Sequence, residues 1–132
     1  MQRQNIYTGR AGEFLVAYKL ELLGLRTTHV DLPRDDLWVK HPDGHIIPVQ
    51  VKSCSARRKR TPTARALHYN FKIARDSSVL RRYNGIYILI ALDVQLLIAK
   101  KWDDLPPVTC KFNSKSFTKE AEQQSIKETF KL

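Results

Sequence analysis

Apolar and polar residues repeat along the chain with two periods, and each period predicts a different kind of element. From about Thr8 to Gly24 the chain is rich in good helix formers, which predicts a first helix with Thr8 as N-cap and Gly24 as its stop. Glu13 falls near the centre of the apolar stripe of this helix, where a carboxylate is unusual. The other members of the stripe are Val16, Ala17, Leu20 and Leu23.

Two alternating segments, residues 36–40 and 46–52, predict a β-hairpin. They flank residues 42–44, Pro-Asp-Gly, a sequence typical of a type I turn closed by a glycine in the left-handed region. A three-residue loop of this kind pairs His41 with His45 across the two strands. The four histidines of the chain lack ligand spacing, so this pair favours a cross-strand contact over a zinc site.

The register of this hairpin decides which side chains share a face. It sets Asp36 opposite Gln50, with Lys52 on the same face, whereas a turn of only two residues would point Asp36 and Gln50 to opposite faces. A slip of one residue would exchange Asp36 for Asp35, and the predicted register favours Asp36. The opposite, apolar face is expected to hold Leu37, Val39, Ile47, Val49 and Val51.

Other segments complete an α/β pattern. Further strands are predicted over residues 26–30, 67–73, 86–92 and 94–99, the last two as a buried pair. A short helix is expected over residues 77–83. An amphipathic final helix is expected over residues 118–130, capped by Thr118 and packed loosely because its large apolar residues are sparse. Residues 56–65 are basic and poor in large apolar side chains, which predicts an exposed loop.

The composition bounds the size and setting of the protein. The chain has 132 residues, 42% of them hydrophobic, which is enough for one α/β core and too few for two ordinary domains. We therefore expect a single domain over residues 1–132. The N-terminal residues lack the apolar core of a signal peptide, and Cys54 and Cys110 lack the spacing of a metal site or a disulfide framework. These features predict a cytoplasmic or nucleoid-associated protein that is not secreted.

The charge of the chain indicates the class of its partner. Lys and Arg outnumber Asp and Glu by 23 to 13, a formal net charge of +10, which predicts an anionic partner such as nucleic acid or an anionic membrane. No predicted helix combines a basic face with an aromatic apolar face. The longest apolar run, residues 85–99, is interrupted by Asp93 and Gln95 and is shorter than the roughly 18–20 residues of a membrane span. Nucleic acid is therefore the expected partner, without a membrane.

One face of the hairpin carries the groups that phosphodiester hydrolysis needs. Oxygen ligands must hold a divalent ion, and a cation must orient water and meet the charge that develops on phosphate. Asp36, the side-chain carbonyl of Gln50 and the backbone carbonyl of Val51 are candidate ligands. Glu13 can bring a second full negative charge from the first helix, and Lys52 is the candidate cation. The expected metal is Mg²⁺ or Mn²⁺.

The order of these residues resembles the PD-(D/E)XK nuclease superfamily. The resemblance rests on Gly9-Arg10-Ala11-Gly12-Glu13, then Asp36, then Gln50-Val51-Lys52, and it spans roughly the first half of the chain. It implies a restriction-endonuclease-like αβββαβ core, in which a central mixed sheet is flanked by helices. Members include restriction enzymes, archaeal Holliday junction resolvases and some intron homing endonucleases. The resemblance thus implies a metal-dependent DNA endonuclease, either structure-specific like the resolvases or similar to homing and restriction enzymes.

Gln50 departs from the commonest form of this pattern. Most members have Asp or Glu at this position, and glutamine resembles the QXK subgroup of Mrr-like restriction enzymes and certain homing nucleases. The loss of one formal charge weakens metal binding unless Glu13 compensates. The alternative is therefore a DNA-binding module that retains the nuclease fold without turnover. A third hypothesis, an RNA-binding protein, lacks the support of any RNA-specific aromatic motif.

Basic residues near the predicted site are expected to contact the phosphate backbone of DNA. They are Arg10, Arg57, Arg58, Lys59, Arg60 and Arg65. Cleavage of two strands requires two sites, so we expect a homodimer or higher homo-oligomer on duplex or branched DNA. Leu15, Tyr18 and Leu22, on the far side of the first helix, belong either to that interface or to the core.

Overall fold

The structure is a computed structural model, and it describes residues 2–73 and 82–132, with side chains from residue 6 onward. Within these residues the α-helices are α1 (Gln2–Leu22) and α2 (Lys119–Thr129). The strands are β1 (Arg26–His29), β2 (Leu37–Lys40), β3 (Ile46–Cys54), β4 (Arg58–Lys59), β5 (Leu67–Lys72), β6 (Ile86–Ala91), β7 (Leu96–Lys101) and β8 (Thr109–Asn113).

The strands form two sheets. The larger one has five strands in the order β1-β2-β3-β6-β7, and β3 runs parallel to β6 while the other neighbours are antiparallel. The smaller one is antiparallel, with the order β4-β5-β8. Both helices pack on one face of the larger sheet, and the smaller sheet covers the other face. The predicted α/β class, with a central mixed sheet and flanking helices, is confirmed.

The first helix is longer than predicted at its N-terminal end. It begins at Gln2, so Thr8 lies inside the helix and is not its N-cap. Leu23 is 53% exposed and was wrongly assigned to the apolar stripe. The helix has ended there, and Gly24, with a φ of +83°, turns the chain so that Leu25 enters the core instead. The other predicted apolar members of the stripe are buried: Val16, Ala17 and Leu20.

Gly12 allows a close approach between α1 and the larger sheet. A Cβ at this position would lie 1.9 Å from Oγ of Ser53 and 3.2 Å from Cγ2 of Ile90. Because glycine has no side chain, α1 packs directly on β3 and β6. The next residue along the chain, Glu13, is therefore held near the sheet.

The β2–β3 hairpin has the predicted register. Its pairs are Leu37–Val49, Trp38–Pro48, Val39–Ile47 and Lys40–Ile46. The paired register ends at Leu37–Val49, and the N–H of Asp36 also donates to the carbonyl of Val49 (2.8 Å), so the regular ladder stops before Asp36 and the predicted Asp36–Gln50 pair is not part of it. In the loop, the N–H of His41 donates to the carbonyl of His45 (2.9 Å), and Gly44 has a φ of +100°. The three-residue turn is therefore confirmed, and a two-residue turn is excluded.

The final helix packs more firmly than predicted. Oγ1 of Thr118 accepts a hydrogen bond from the N–H of Ala121 (3.0 Å), which confirms the predicted cap. Ile126 is 3% exposed and Phe130 is 1% exposed, so the few large apolar residues of this segment all serve the core beside β7. The helix predicted over residues 77–83 lies outside the described residues except for its last two positions, which are not helical. No helix among the described residues has the length and apolarity needed to cross a membrane.

The smaller sheet was not predicted. Residues 56–65 were expected to form a loop, but β4 within them pairs with β5, so part of this basic segment is an edge strand. The strand β8 is short and follows Pro106-Pro107, and only Cys110 among its five residues is buried. Such a segment carries little hydrophobic alternation, and it becomes a strand because β5 offers it a partner.

Gly85 stands at a tight contact beside β3. A Cβ at this position would lie 2.2 Å from the carbonyl oxygen of Pro48 and 2.7 Å from the ring of Tyr83. We expect Gly85→Ala to lower the free energy of unfolding by about 1–3 kcal/mol, because a backbone atom cannot rotate away. Urea denaturation measures the change. Gly9→Ala, at a helical position where a Cβ meets nothing within 4 Å, is the control and should not destabilise the protein. Equal losses in both variants would contradict the prediction.

Candidate active site

Asp36 lies at the point where β2 begins, beside β3. Its backbone N–H donates to the carbonyl of Val49 (2.8 Å), and its side-chain Oδ2 accepts a hydrogen bond from the N–H of Val51 (2.7 Å). These two bonds hold the carboxylate against β3, just beyond the last ladder pair of the hairpin. The N–H and C=O of one strand residue point to the same side, so the carbonyl of Val51 is directed to the side on which Asp36 lies.

Asp35, the alternative to Asp36, is committed to other partners. Its Oδ1 accepts a hydrogen bond from the hydroxyl of Tyr83 (2.7 Å), and its Oδ2 accepts one from Nε1 of Trp38 (2.9 Å). Both oxygens therefore anchor the segment before β2 to neighbouring aromatic side chains. This arrangement supports Asp36, rather than Asp35, as the candidate ligand.

Glu13 approaches the same place from α1. Burial raises the pKa of Glu13, and the negative charge of Asp36 raises it further, while Arg10 opposes the shift. Burial also raises the pKa of Asp36, although the Val51 N–H and the charge of Lys52 act in the opposite direction. The fold thus holds two carboxylates within range of each other without full compensation by cations. A divalent cation bound between oxygen ligands would relieve this repulsion.

Lys52 and Gln50 complete the predicted set from β3. Both side chains are half-buried, and alternation along the strand puts them on the face opposite Val49 and Val51. Lys52 is close enough to Asp36 to lower its pKa. The structure therefore brings the charges of Glu13 and Lys52 within electrostatic range of Asp36, and Gln50 precedes Val51, whose N–H binds Asp36. The catalytic and metal-binding roles of these residues remain predictions.

The raised pKa of Glu13 has a consequence for stability. A carboxyl group with a raised pKa binds its proton more tightly in the folded state, so its ionisation destabilises the protein as pH rises above the ordinary value of 4.5. We expect Glu13→Gln to raise the free energy of unfolding slightly at pH 7 without metal, because solvent screens this partly exposed carboxylate, and to lose this gain below that ordinary value. Denaturation at both pH values measures it.

Glu120→Gln is the control for this prediction. Glu120 is exposed in the first turn of α2, where a negative charge is favourable beside the helix N-terminus. Its replacement should leave stability unchanged or lower it slightly at pH 7. A loss of stability in Glu13→Gln at pH 7 would contradict the electrostatic interpretation of the site.

The predicted DNA-contacting residues do not all have the same surroundings. Nε of Arg57 forms an ion pair with Oδ2 of Asp93 (3.0 Å), and Asp93 also accepts a hydrogen bond from the hydroxyl of Tyr69 (2.6 Å). Arg57 is thus part of a structural network beneath the smaller sheet. Arg57 is nevertheless 41% exposed, and the other predicted members are exposed as well: Arg10, Arg58, Lys59, Arg60 and Arg65.

Aromatic and basic residues that the sequence analysis missed surround the candidate site. Tyr87 pairs with Gln50 across the parallel β3–β6 register. The guanidinium of Arg34 lies 5.0 Å from the centre of the Tyr83 ring, and it hydrogen-bonds Tyr87, which lowers the pKa that burial raises. The signal in the sequence that could have revealed these residues is the pair Tyr83 and Tyr87, which flank Gly85 at the start of a strongly apolar strand. They indicate polar groups that need partners beside a core strand.

A second group of possible ligands lies at the far end of the hairpin. His41 and His45 stack with ring centroids 4.8 Å apart, which confirms the predicted cross-strand pair. Oδ1 of Asp43 lies 3.0 Å from Nδ1 of His41 and also contacts Nδ1 of His45. Potential metal-ligating atoms of these three residues lie within 4.8 Å of one another. This group is separate from the carboxylates of Glu13 and Asp36.

The chain was compared with known proteins at the level of sequence and of structure. No protein-family model matches it, and no curated protein matches it. Among solved structures it is similar to a bacterial homing endonuclease, I-Ssp6803I, with a TM-score of 0.60 and 15% sequence identity over 80% of this chain and 72% of that chain. At this level of identity the similarity establishes the fold. The chain has a mixed α/β, nuclease-like fold.

Proposed function

We propose that this protein is a divalent-metal-dependent endonuclease that hydrolyses phosphodiester bonds in DNA. The observation that carries the proposal is that the charges of Glu13 on α1 and Lys52 on β3 both act on Asp36, which is held against β3 just before β2 begins. The fold shared with a homing endonuclease supports it, as does the net charge of +10. In this proposal the site is an active site of the PD-(D/E)XK type, with Gln50 at the first position of the tripeptide.

The chemistry of the donor set fits Mg²⁺ or Mn²⁺. Glu13, Asp36, the side-chain carbonyl of Gln50 and the backbone carbonyl of Val51 would present oxygen ligands alone, which hard divalent ions prefer. Bound there, the ion would act as a Lewis acid on a phosphoryl oxygen. The ammonium of Lys52 would orient the attacking water by hydrogen bonding and stabilise the negative charge that develops on phosphate.

The test is a cleavage assay on several DNA forms. Pure protein is incubated with supercoiled plasmid, linear duplex and a four-way junction, each with Mg²⁺, with Mn²⁺ and with a chelator. Cleavage with either ion and none with the chelator is the expected result. Preference for the junction would indicate a resolvase-like enzyme, and preference for linear sites a homing- or restriction-like one. If no substrate is cut while salt-sensitive DNA binding persists, Gln50 marks a binding module without turnover and the nuclease proposal fails.

The proposal extends to a homo-oligomer that uses α1. Leu15 packs partly against the core, whereas Tyr18 is 61% exposed and Leu22 is 69% exposed. Tyr7 and Phe14 are also exposed, and the spacing of these residues places them along one side of the helix. A stripe of exposed aromatic and aliphatic side chains on one helix is typical of a surface that another protein chain covers. A second copy is the occupant that two-strand cleavage requires.

Tyr18→Asp tests this interface. A charge in the middle of the stripe is expected to shift the protein from dimer or higher oligomer to monomer at micromolar concentration, measured by sedimentation equilibrium. Gln123→Asp, on the exposed side of α2, is the matched control and should keep the wild-type mass. A wild-type protein that sediments as a monomer at all concentrations would refute the proposed oligomer.

A further inference from the structure

The smaller sheet has one apolar face and one polar face. Tyr69, Phe71 and Cys110 point inward and are buried in a cluster with residues of β6 and β7. Because side chains alternate along a strand, the residues between them point outward. The outward residues of the three strands are Arg58, His68, Asn70, Lys72, Thr109, Lys111 and Asn113.

The outer face is basic and carries no acidic residue. Neither residues 53–73 nor residues 105–119 contain Asp or Glu, although the chain as a whole has 13 of them. Arg58, Asn70, Lys72, Lys111 and Asn113 are all exposed. A solvated sheet face of a typical protein mixes both signs of charge, because cross-strand pairs of opposite charge stabilise it. The exclusion of carboxylates indicates a surface that meets a polyanion.

The register arranges these side chains in rows across the strands. Arg58, His68 and Asn113 form one row, and Asn70 lies opposite Lys111 in the next. Asparagine can bind the major-groove edge of adenine with two hydrogen bonds, and arginine or lysine can bind that of guanine. Asparagine, arginine and lysine are thus the residue types that read bases. A surface that contacted only phosphates would need the cations but not the asparagine side chains.

We propose that the β5–β8 ribbon enters the major groove of duplex DNA and reads base edges through Asn70 and Lys111, whereas Oδ1 of Asn113 accepts a hydrogen bond from the N–H of Lys115 and is not assigned to base reading. Arg58 and Lys59, on the flanking strand β4, would hold the phosphate backbone at one rim of the groove. The inference rests on the proposed function for its choice of DNA as partner. It assigns to this sheet a sequence-reading role that is separate from the carboxylate site.

The dimensions of the ribbon favour DNA over double-stranded RNA. Adjacent strands lie about 4.8 Å apart, and the major groove of B-form DNA, about 12 Å wide, admits a two-stranded ribbon with its side chains. The major groove of an A-form helix is deep and narrow, so side chains on a ribbon cannot reach its bases.

The smaller sheet lies beside the end of β3 that follows Lys52. A depression beside the end of β3 is lined by Ser53, Cys54, Arg58, His68 and Asn70. Lys52 and Arg58 are six positions apart in sequence, which allows at most about 20 Å between them at roughly 3.3 Å per residue. At about 3.4 Å per base pair, Arg58 would therefore meet the DNA backbone within roughly six base pairs of the phosphate at Lys52.

The experiment is selection from a randomised duplex library in the presence of a chelator, so that cleavage is not needed. The wild-type protein is expected to enrich a short motif. Asn70→Ala should bind unselected duplex as tightly as wild type but lose about tenfold of its preference for the motif, because an amide contributes specificity and no charge. Lys59→Ala should instead weaken binding to every duplex alike and make the salt dependence shallower.

Asn84→Ala is the matched control, since Asn84 is an exposed asparagine outside both sheets, and it should retain the motif. Thermal unfolding checks that each variant is folded, and Lys111→Ala replaces Asn70→Ala if that protein does not fold. The proposal is overturned if wild type enriches no motif, if Asn70→Ala enriches it equally well, or if structured RNA competes better than duplex DNA. A protein that enriches the motif without ever cutting it would refute the nuclease and leave this inference standing.

Discussion

Lys52→Ala is expected to lower the rate of metal-dependent DNA cleavage by about 10²–10³-fold while DNA binding is retained. Lys52 lies on β3 beside Asp36, and its charge already acts on that carboxylate. Removal of the ammonium takes away the group that would orient water and meet charge on the phosphate, but it leaves the oxygen ligands in place. Single-turnover cleavage with saturating Mg²⁺ measures the change in the chemical step.

The matched control for this prediction is Lys40→Ala. Lys40 is exposed at the other end of β2, so its replacement removes the same charge from the hairpin without touching the site. It should alter DNA affinity slightly and the cleavage rate by less than about threefold, since its effect is that of one screened surface charge. Equal rates for Lys52→Ala and wild type would remove Lys52 from the mechanism, and an equal loss in both variants would indicate a general effect of charge.

The register of the β2–β3 hairpin could be predicted from the sequence because a turn controls it. The three-residue Pro-Asp-Gly loop specifies one register, and alternation then assigns every side chain of the hairpin to a face. The position of Glu13 relative to the hairpin could not be predicted from the hairpin alone, because it depends on how α1 packs on the sheet. The close packing of Gly12 against Ser53 and Ile90 brings α1 to the sheet. A single glycine in a helix does not reveal which strand will pack against it.

Long-range partners could not be predicted in the same way. Nothing in the local sequence connects Asp35 to Tyr83 or Arg57 to Asp93, because each pair joins segments whose proximity is set by the sheet order. The smaller sheet was missed for a related reason. Its edge strands are short and polar, and they form because β5 has one apolar face that packs on the larger sheet and leaves its edges for pairing.

Asp36→Asn is expected to reduce Mg²⁺ affinity by at least about 100-fold, because it removes the full negative charge of a ligand. Loss of a residue that only supports a ligand already lowers metal affinity by about 10–100-fold. The fold should persist, since the asparagine carbonyl can still accept the hydrogen bond from the N–H of Val51. Calorimetry with Mg²⁺ measures the affinity. Mg²⁺ is the appropriate ion because the imidazoles of His41 and His45 favour softer metals.

The pH dependence of Mg²⁺ binding provides the stricter test. Burial raises the pKa values of Asp36 and Glu13, so protons compete with the metal to a higher pH than they would at ordinary carboxylates. Wild-type affinity should therefore increase as pH rises from the ordinary carboxylate range through the raised pKa values, and this dependence should be smaller in Asp36→Asn. Asp104→Asn, at an exposed position, should behave like wild type. Undiminished Mg²⁺ binding by Asp36→Asn, or a wild-type affinity that does not change across this range, would mean that these carboxylates do not hold the ion.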